Sequence, residues 1–418
     1  MESVRTVMQI AAQNNLILHQ MDVKSAYLHA PIDEDVYVTT PEGYKSDNKV
    51  WKLKKSLYGL KQSGRNWHNL LHAYLVNELS FKQSTADPCL YFQQGGNAIL
   101  LVWVDDIIIA TRTESTMTTL KSSFSLKFNM KDLGTLSVFL GISFTQTKDR
   151  ITMSQAKYLE NVLKTFNLSD CKPRSTPCEQ NLKAYSESKT DEHDDRKYRQ
   201  MVGSLIYAMT CTRPDIAFVV TKLSQHLSCP EPSDWAMLKH VFQYIKGTVD
   251  KHLTFRKSQS NLRIHAFCDA DWASSTDDRR SITGYHISLN EHGPPISWKS
   301  KKQTSVALST CEAEYVSLSI TCQETIYLAR LLNELTEHDL QPAIIKNDNQ
   351  GALSLIKNPV KHSKSKHIDI RFHFIREVYS NGNIVIDYVP SDDNVADVLT
   401  KPPKRHLLVK FGQFLFGQ

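Results

Sequence analysis

Two adjacent carboxylates set between apolar, strand-forming residues constrain this chain more than any other feature. The stretch is Val102-Trp103-Val104-Asp105-Asp106-Ile107-Ile108-Ile109. Residues 98–104 and 107–111 read as strands, with both acids in the turn between them. An ionised carboxylate in an apolar setting costs several kcal/mol unless it is paired, and two neighbours also repel each other. A divalent cation relieves both penalties. The alternative is a surface hairpin whose turn happens to be Asp-Asp. Two-residue turns favour Asn-Gly or Asp-Gly, because both positions need positive φ. A third acid lies at the end of another strand pattern, His19-Gln20-Met21-Asp22-Val23. Alone, Asp22 is a solvated loop acid; beside the hairpin it supplies the missing ligand. Three such carboxylates can hold two magnesium ions against nucleotide phosphates for in-line phosphoryl transfer.

A second acid set lies in the last third of the chain. Phe267-Cys268-Asp269-Ala270-Asp271-Trp272 ends a strand, and Glu312-Ala313-Glu314-Tyr315 opens a long helical pattern. Lys346-Asn347-Asp348-Asn349-Gln350 ends another strand, and Asn394-Val395-Ala396-Asp397 falls in a last helix near 394–400. Ser309 and Glu312 have the spacing of a capping box, so Glu312 reads as structural and Glu314 as free for metal. Strand end, helix, strand end and helix is the acid order of a ribonuclease H, which uses two Mg²⁺ on the RNA strand of a hybrid.

Between these sets the texture changes twice. Residues 4–18 read as a short amphipathic helix, and 66–79, 114–130 and 155–167 as further helices. Residues 179–197 are polar and read as a linker. Three helical patterns follow before strands begin near 262. From there the order reads βββαβα. The eight cysteines form no CxxC pair and no zinc spacing, so most read as small buried residues of a reducing compartment. No apolar run is long enough to span a bilayer, so no membrane role is expected. The net charge of +6 permits a polyanionic partner without requiring one. A basic tract at 357–367 suits phosphate tracking or a solvated loop.

The motifs together resemble one family. Met21-Asp22-Val23-Lys24-Ser25-Ala26, Ser56-Leu57-Tyr58-Gly59-Leu60-Lys61-Gln62-Ser63, the Asp-Asp hairpin, Met130-Lys131-Asp132-Leu133-Gly134 and Phe139-Leu140-Gly141-Ile142 are similar, in order, to the reverse transcriptase motifs of copia-type LTR retrotransposons. Asp269-Ala270-Asp271-Trp272, Glu312-Ala313-Glu314-Tyr315, Asp348-Asn349-Gln350, Lys366-His367-Ile368-Asp369-Ile370 and Thr400-Lys401-Pro402 resemble the ribonuclease H segment of the same Pol polyproteins. The resemblance runs from about residue 4 to 405.

It implies an α+β and α/β multidomain chain with a right-hand polymerase palm and thumb, then a helical connection and an RNase H-like βββαβα domain. The expected boundaries are 1–154 for palm with incomplete fingers, 155–178 for thumb, 179–197 for linker, 198–258 for connection, 259–402 for RNase H and 403–418 for a C-terminal tail. It implies Asp22, Asp105 and Asp106 as one catalytic metal set and Asp269, Glu314, Asp348 and Asp397 as the other, each with two Mg²⁺ or Mn²⁺. The family match favours Asp269 over Asp271. Tyr27 matches an aromatic gate against the ribose 2′-OH, Lys61 and Gln62 a contact to nucleotide and template, and Phe139-Leu140-Gly141-Ile142 a primer-gripping hairpin. The implied partners are RNA template, DNA primer, RNA/DNA hybrid, dNTPs and other parts of the Pol polyprotein, with work in cytoplasmic particles and a product bound for the nucleus.

Two positions depart from the pattern. Trp103 stands where relatives carry Tyr, which bears on primer positioning. Only 21 residues precede Asp22, so the fingers that supply Lys and Arg to a triphosphate are expected to be incomplete. The alternative function is therefore a polymerase-inactive relic that keeps ribonuclease H or only nucleic-acid binding. Retention of all seven acids speaks against long decay.

Overall fold

The alternation of side chains along strand Ile17–Val23 explains the first unit of the structure. Met21 and Val23 point into a core, so Asp22 points away from it. Strands Ala98–Trp103 and Asp106–Thr111 do the same: Leu100, Val102, Ile107 and Ile109 join that core. These strands belong to a six-stranded antiparallel sheet. Helices Ser63–Asn77 and Glu114–Lys127 cover its apolar face with Trp67, Leu71, Tyr74 and Leu75, and with Met117, Leu120 and Phe124. Burying a large apolar side chain contributes roughly 1.5–3 kcal/mol. The opposite face is buried as well, through Leu18, Ile99, Leu101, Ile108 and Ala110, and exposure returns only at the end of the sheet, at Asp22, Trp103 and Asp106.

The computed structural model describes residues 1–44, 49–185, 194–258, 261–275, 278–336, 340, 342–357 and 366–418. The middle of the predicted linker and most of the basic tract lie outside these residues, as do the side chains of 366–370 and 372. The sheet just described belongs to a compact unit centred on residues 14–137. The second unit takes in residues 1–13, 138–333 and the described part of 338–418.

In the second unit, strands Val138–Phe139, Ile142–Gln146, Arg150–Ser154 and Leu253–Arg256 form an antiparallel sheet. Helices Ala156–Thr165, Asp195–Cys211, Ala217–Leu223 and Pro232–Lys246 also belong to this unit. A five-stranded sheet follows in the order Ser297–Lys302, Ile282–Ser288, His265–Asp271, Ala343–Asn347, Ile384–Tyr388. Its first three strands are antiparallel and its last three parallel, with helix Thr310–Thr336 in the first long crossover. This is the expected RNase H-like arrangement. Among the described residues, no helix is long and apolar enough to cross a membrane.

Two buried arginines tie this unit together. Arg5 is fully buried on helix Glu2–Asn14. Its Nε donates to the Ile296 carbonyl at 2.7 Å, and its Nη1 donates to those of Thr210 at 2.8 Å and Cys211 at 3.2 Å. It thereby satisfies carbonyls at the end of helix Asp195–Cys211 while stacking 4.0 Å above Trp298. Arg213 makes two parallel bonds to Asp215, at 2.9 and 2.8 Å, and Tyr244 donates to the same carboxylate at 2.7 Å. Both partners are fully buried. Asp215→Asn strands the guanidinium, and urea unfolding will show about 3–5 kcal/mol of lost stability.

Several elements differ from the sequence reading. The first helix ends at Asn14, and Leu18 already belongs to a strand. The turn between the acidic strands is Val104-Asp105, and Asp106 opens the second strand opposite Trp103. Val104 takes the positive φ of 56° that the turn needs. The last helix near 394–400 is a 3₁₀ turn, Val395–Leu399. A helix at Lys366–Ser380 was hidden behind the basic tract.

Candidate active sites

Antiparallel pairing places Asp22 directly opposite Asp106, on the face away from the helices. Like charges at this position oppose pairing. Burial pushes the Asp106 carboxyl up, and Asp105 and Asp22 push the same way against a 3.0 Å hydrogen bond donated by Gln20. Asp105 is fixed through its backbone, whose carbonyl accepts from the Val23 amide at 2.8 Å. The Trp67 indole donates to the Val104 carbonyl at 2.6 Å, anchoring the strained turn to the helix beneath. The three aspartates thus share one end of the sheet, two on strands and one on the turn.

Tyr27 lies on the short 3₁₀ turn Ala26–His29 that follows the Asp22 strand, and its ring packs 4.5 Å from Tyr58. Sequence reasoning quoted Tyr58 but gave it no role. The signal was the adjacent Gly59, whose φ of +99° lets the chain turn there. Gln62 precedes helix Ser63–Asn77 and donates to Glu34 at 3.2 Å. Lys61 is exposed, and Trp103 is 54% exposed beside the acids. Residues 139–142 form a tight hairpin in the second unit, where Leu140 and Gly141 both take positive φ. Tyr207 donates to the Leu140 carbonyl.

The second acid set converges on the five-stranded sheet. Asp269 is on the central strand, Glu314 in the first turns of the long helix, and Asp348 just beyond strand Ala343–Asn347. One oxygen from each of these three lies within 4.8 Å of the others. Asp269 and Glu314 are only 2% and 5% exposed. Glu314 accepts from Asn347 at 2.9 Å, and Asp348 from Ser391 at 2.5 Å. Burial and then Asp269 push Glu314 up to about 9. Burial and Asp269 also push Asp397 up to about 7. Asp397 keeps one buried oxygen without a hydrogen-bond partner. Clustered, partly unsatisfied oxygen donors fit a hard divalent ion. Glu312 accepts from the Leu308 amide at 2.8 Å while its own amide donates to Ser309, so it caps the helix as expected.

A glycine makes room for the fourth acid. Gly284 pairs with Asp269 across the sheet. A methyl group there would meet Thr400 at 2.6 Å, Leu399 at 2.9 Å and the Ala396 carbonyl at 3.1 Å. The turn bearing Asp397 therefore lies flat against the sheet only because residue 284 has no side chain. Gly284→Ala will cost about 1–3 kcal/mol in urea unfolding and will weaken Mn²⁺ binding, because Asp397 is pushed outward.

Sequence reasoning missed Thr400 and Lys401 as site residues. Thr400 donates to Asp269, and the Lys401 ammonium lies 3.1 Å from Asp397 and 3.8 Å from Asp269. The four-residue step from Asp397 to Lys401 was the available signal.

Three aspartates thus share one end of the first unit's sheet, and Asp269, Glu314 and Asp348 converge on the mixed five-stranded sheet of the second. Residues 1–180 match the family described as reverse transcriptase (RNA-dependent DNA polymerase). Residues 1–180 thus belong to that family, and nearly the whole chain is similar to a segment of the retrovirus-related Pol polyproteins of plant copia-type transposons. It is 38% identical to the Pol polyprotein from transposon TNT 1-94 of Nicotiana tabacum, over 97% of this chain and 31% of that one. It is 37% identical to the Pol polyprotein from transposon RE2 of Arabidopsis thaliana, over 98% of this chain and 28% of that one. The chain thus spans about a third of the length of these relatives. In fold it is similar to the foamy viral protease-reverse transcriptase dRH in complex with ds DNA, with a TM-score of 0.56 and 13% identity. That match covers 93% of this chain and 59% of the other.

Proposed function

We propose that the chain is an RNA-directed DNA polymerase and ribonuclease H, with the two chemistries at separate carboxylate sites. The single observation that carries this reading is the convergence of Asp269, Glu314 and Asp348 within 4.8 Å on an RNase H-like sheet. Family membership and the cross-strand pair of Asp22 and Asp106 support the polymerase half. In each site, bound Mg²⁺ or Mn²⁺ would neutralise developing phosphate charge and activate the attacking oxygen.

At the first site, Asp22, Asp105 and Asp106 would hold the ions. Tyr27, packed on Tyr58, would crowd a ribose 2′-OH, the group that separates RNA from DNA building blocks. Lys61, Gln62 and Trp103 would line the approach of template, nucleotide and primer. At the second site Asp269, Glu314, Asp348 and Asp397 would hold the ions. Thr400 and Asn347 orient Asp269 and Glu314 through hydrogen bonds. The substrates are a primed RNA template with dNTPs, and the RNA strand of an RNA/DNA hybrid. Recognition would run mainly through the nucleic-acid backbone, without sequence preference.

The test supplies purified chain with a labelled RNA/DNA hybrid and an oligo(dT)-primed poly(rA) template in Mn²⁺. The reading expects RNA cleavage in the first and primer extension in the second. Soluble, hybrid-binding protein that does neither contradicts it.

A further inference from the structure

The acids of the second site share their space with a cation supplied by the chain itself. Lys401 lies one helical step beyond Asp397, at the end of the turn that Gly284 lets down onto the sheet. Its ammonium stands 3.1 Å from Asp397 and 3.8 Å from Asp269. The Asp269 oxygen that it approaches is also the one that accepts from Thr400. Lys401 is partly exposed while Asp269 is buried, so the stem reaches in from solvent. A long, flexible side chain of this kind can withdraw at little cost.

Such a position has a definite electrostatic consequence. Clustered carboxylates repel one another wherever they are ionised. A single ammonium between two of them offsets part of that repulsion. A divalent ion held by Asp269 and Asp397 would have to share those oxygens with the ammonium or displace it. Displacement costs the ion pairs and weakens metal binding by the same amount, since the two equilibria are linked. We propose that Lys401 is a tethered counter-ion of this site, holding Asp269 and Asp397 in the metal-free chain and competing with the divalent ion that replaces it. Lys401 is thus a positioning residue, and the ribonuclease H centre is tuned toward looser metal binding than its four acids alone would give. The inference rests on the metal-site reading of the preceding section.

The test is titration with Mn²⁺ alone, reading free ion by electron paramagnetic resonance. The full chain carries Asp105→Asn and Asp106→Asn in every sample, so that only the second site is counted. Added to that background, Lys401→Met is expected to bind Mn²⁺ about tenfold tighter. Lys401→Arg, which keeps the charge, is expected to stay near the parent. In thermal unfolding, Lys401→Met should lower the midpoint in EDTA and leave the Mn²⁺-loaded midpoint near the parent's. A misfolded variant would instead lower both. Unchanged or weaker Mn²⁺ binding by a folded Lys401→Met, with binding lost in Asp269→Asn, overturns the counter-ion role and leaves the metal site standing. Undiminished Mn²⁺ binding by Asp269→Asn overturns the metal-site reading, and the counter-ion with it.

Discussion

Asp105→Asn will abolish primer extension, by at least about a thousandfold, while hybrid cleavage stays near the parent level. The asparagine keeps the shape of the turn, because the bonds that fix it are accepted by the turn's backbone carbonyls and not by the Asp105 side chain. Trp67 holds the Val104 carbonyl and the Val23 amide holds that of residue 105. What is lost is one negative charge among three, at the place where Asp22 and Asp106 already oppose each other. Transition-state stabilisation by a bound ion is worth several kcal/mol, and each 1.4 kcal/mol is a factor of ten. The check is extension of oligo(dT) on poly(rA) with Mg²⁺ or Mn²⁺. Extension by the parent and none by the variant identify the aspartate set as the working polymerase centre. A parent that extends nothing, yet binds and cleaves hybrid, moves the reading to a chain whose polymerase is inactive and whose nuclease remains.

Asp269→Asn will have the complementary effect. Hybrid cleavage falls by at least about a thousandfold and extension persists. The substitution also changes how the metal-free chain responds to pH. Glu314 and Asp397 are held at about 9 and about 7, above the ordinary carboxylate range. The folded chain therefore keeps protons that the unfolded chain releases. Their contribution to stability is fully present below the ordinary carboxylate range. It fades as pH rises through about 7 and then about 9. A divalent ion replaces those protons, so the rise in unfolding midpoint caused by Mn²⁺ should be larger at pH 9 than at pH 6. Asp269 is the largest charged contributor to both shifts. In Asp269→Asn the metal-free loss between pH 6 and 9 should shrink, and the Mn²⁺ effect should be small at both. Differential scanning fluorimetry with Mn²⁺ and with EDTA reads both effects.

The acids were legible in the sequence for a physical reason. Strand alternation forces Met21 and Val23 into the core beneath the helices, which leaves Asp22 on the opposite face, and the same alternation governs Asp106 beside Ile107. The separation of Glu312 from Glu314 was legible because helix capping is a local rule, and Glu312 does close the first turn. Long-range choices were not. The turn lies one residue earlier than its composition suggests, because contacts from Trp67 and Val23 stabilise a valine at positive φ. Nothing local marks Arg5 as a buried residue, since its partners are Thr210, Cys211 and Ile296. Helix Lys366–Ser380 was obscured because its opening residues continue a basic run, although Ile375 and Val378 bury an apolar stripe further on. The approach of Lys401 to Asp269 depends on Gly284 in a distant strand and was beyond any local pattern.

The central claim is that one chain carries two independent carboxylate centres with separate chemistries. The most direct measurement is cleavage of a uniformly labelled RNA/DNA hybrid in Mn²⁺ by the parent, Asp105→Asn and Asp269→Asn, with hybrid binding confirmed for each. The account predicts cleavage of the RNA strand alone by the parent and Asp105→Asn, and an intact hybrid with Asp269→Asn. Equal cleavage by Asp269→Asn, or loss of cleavage in Asp105→Asn, would contradict it.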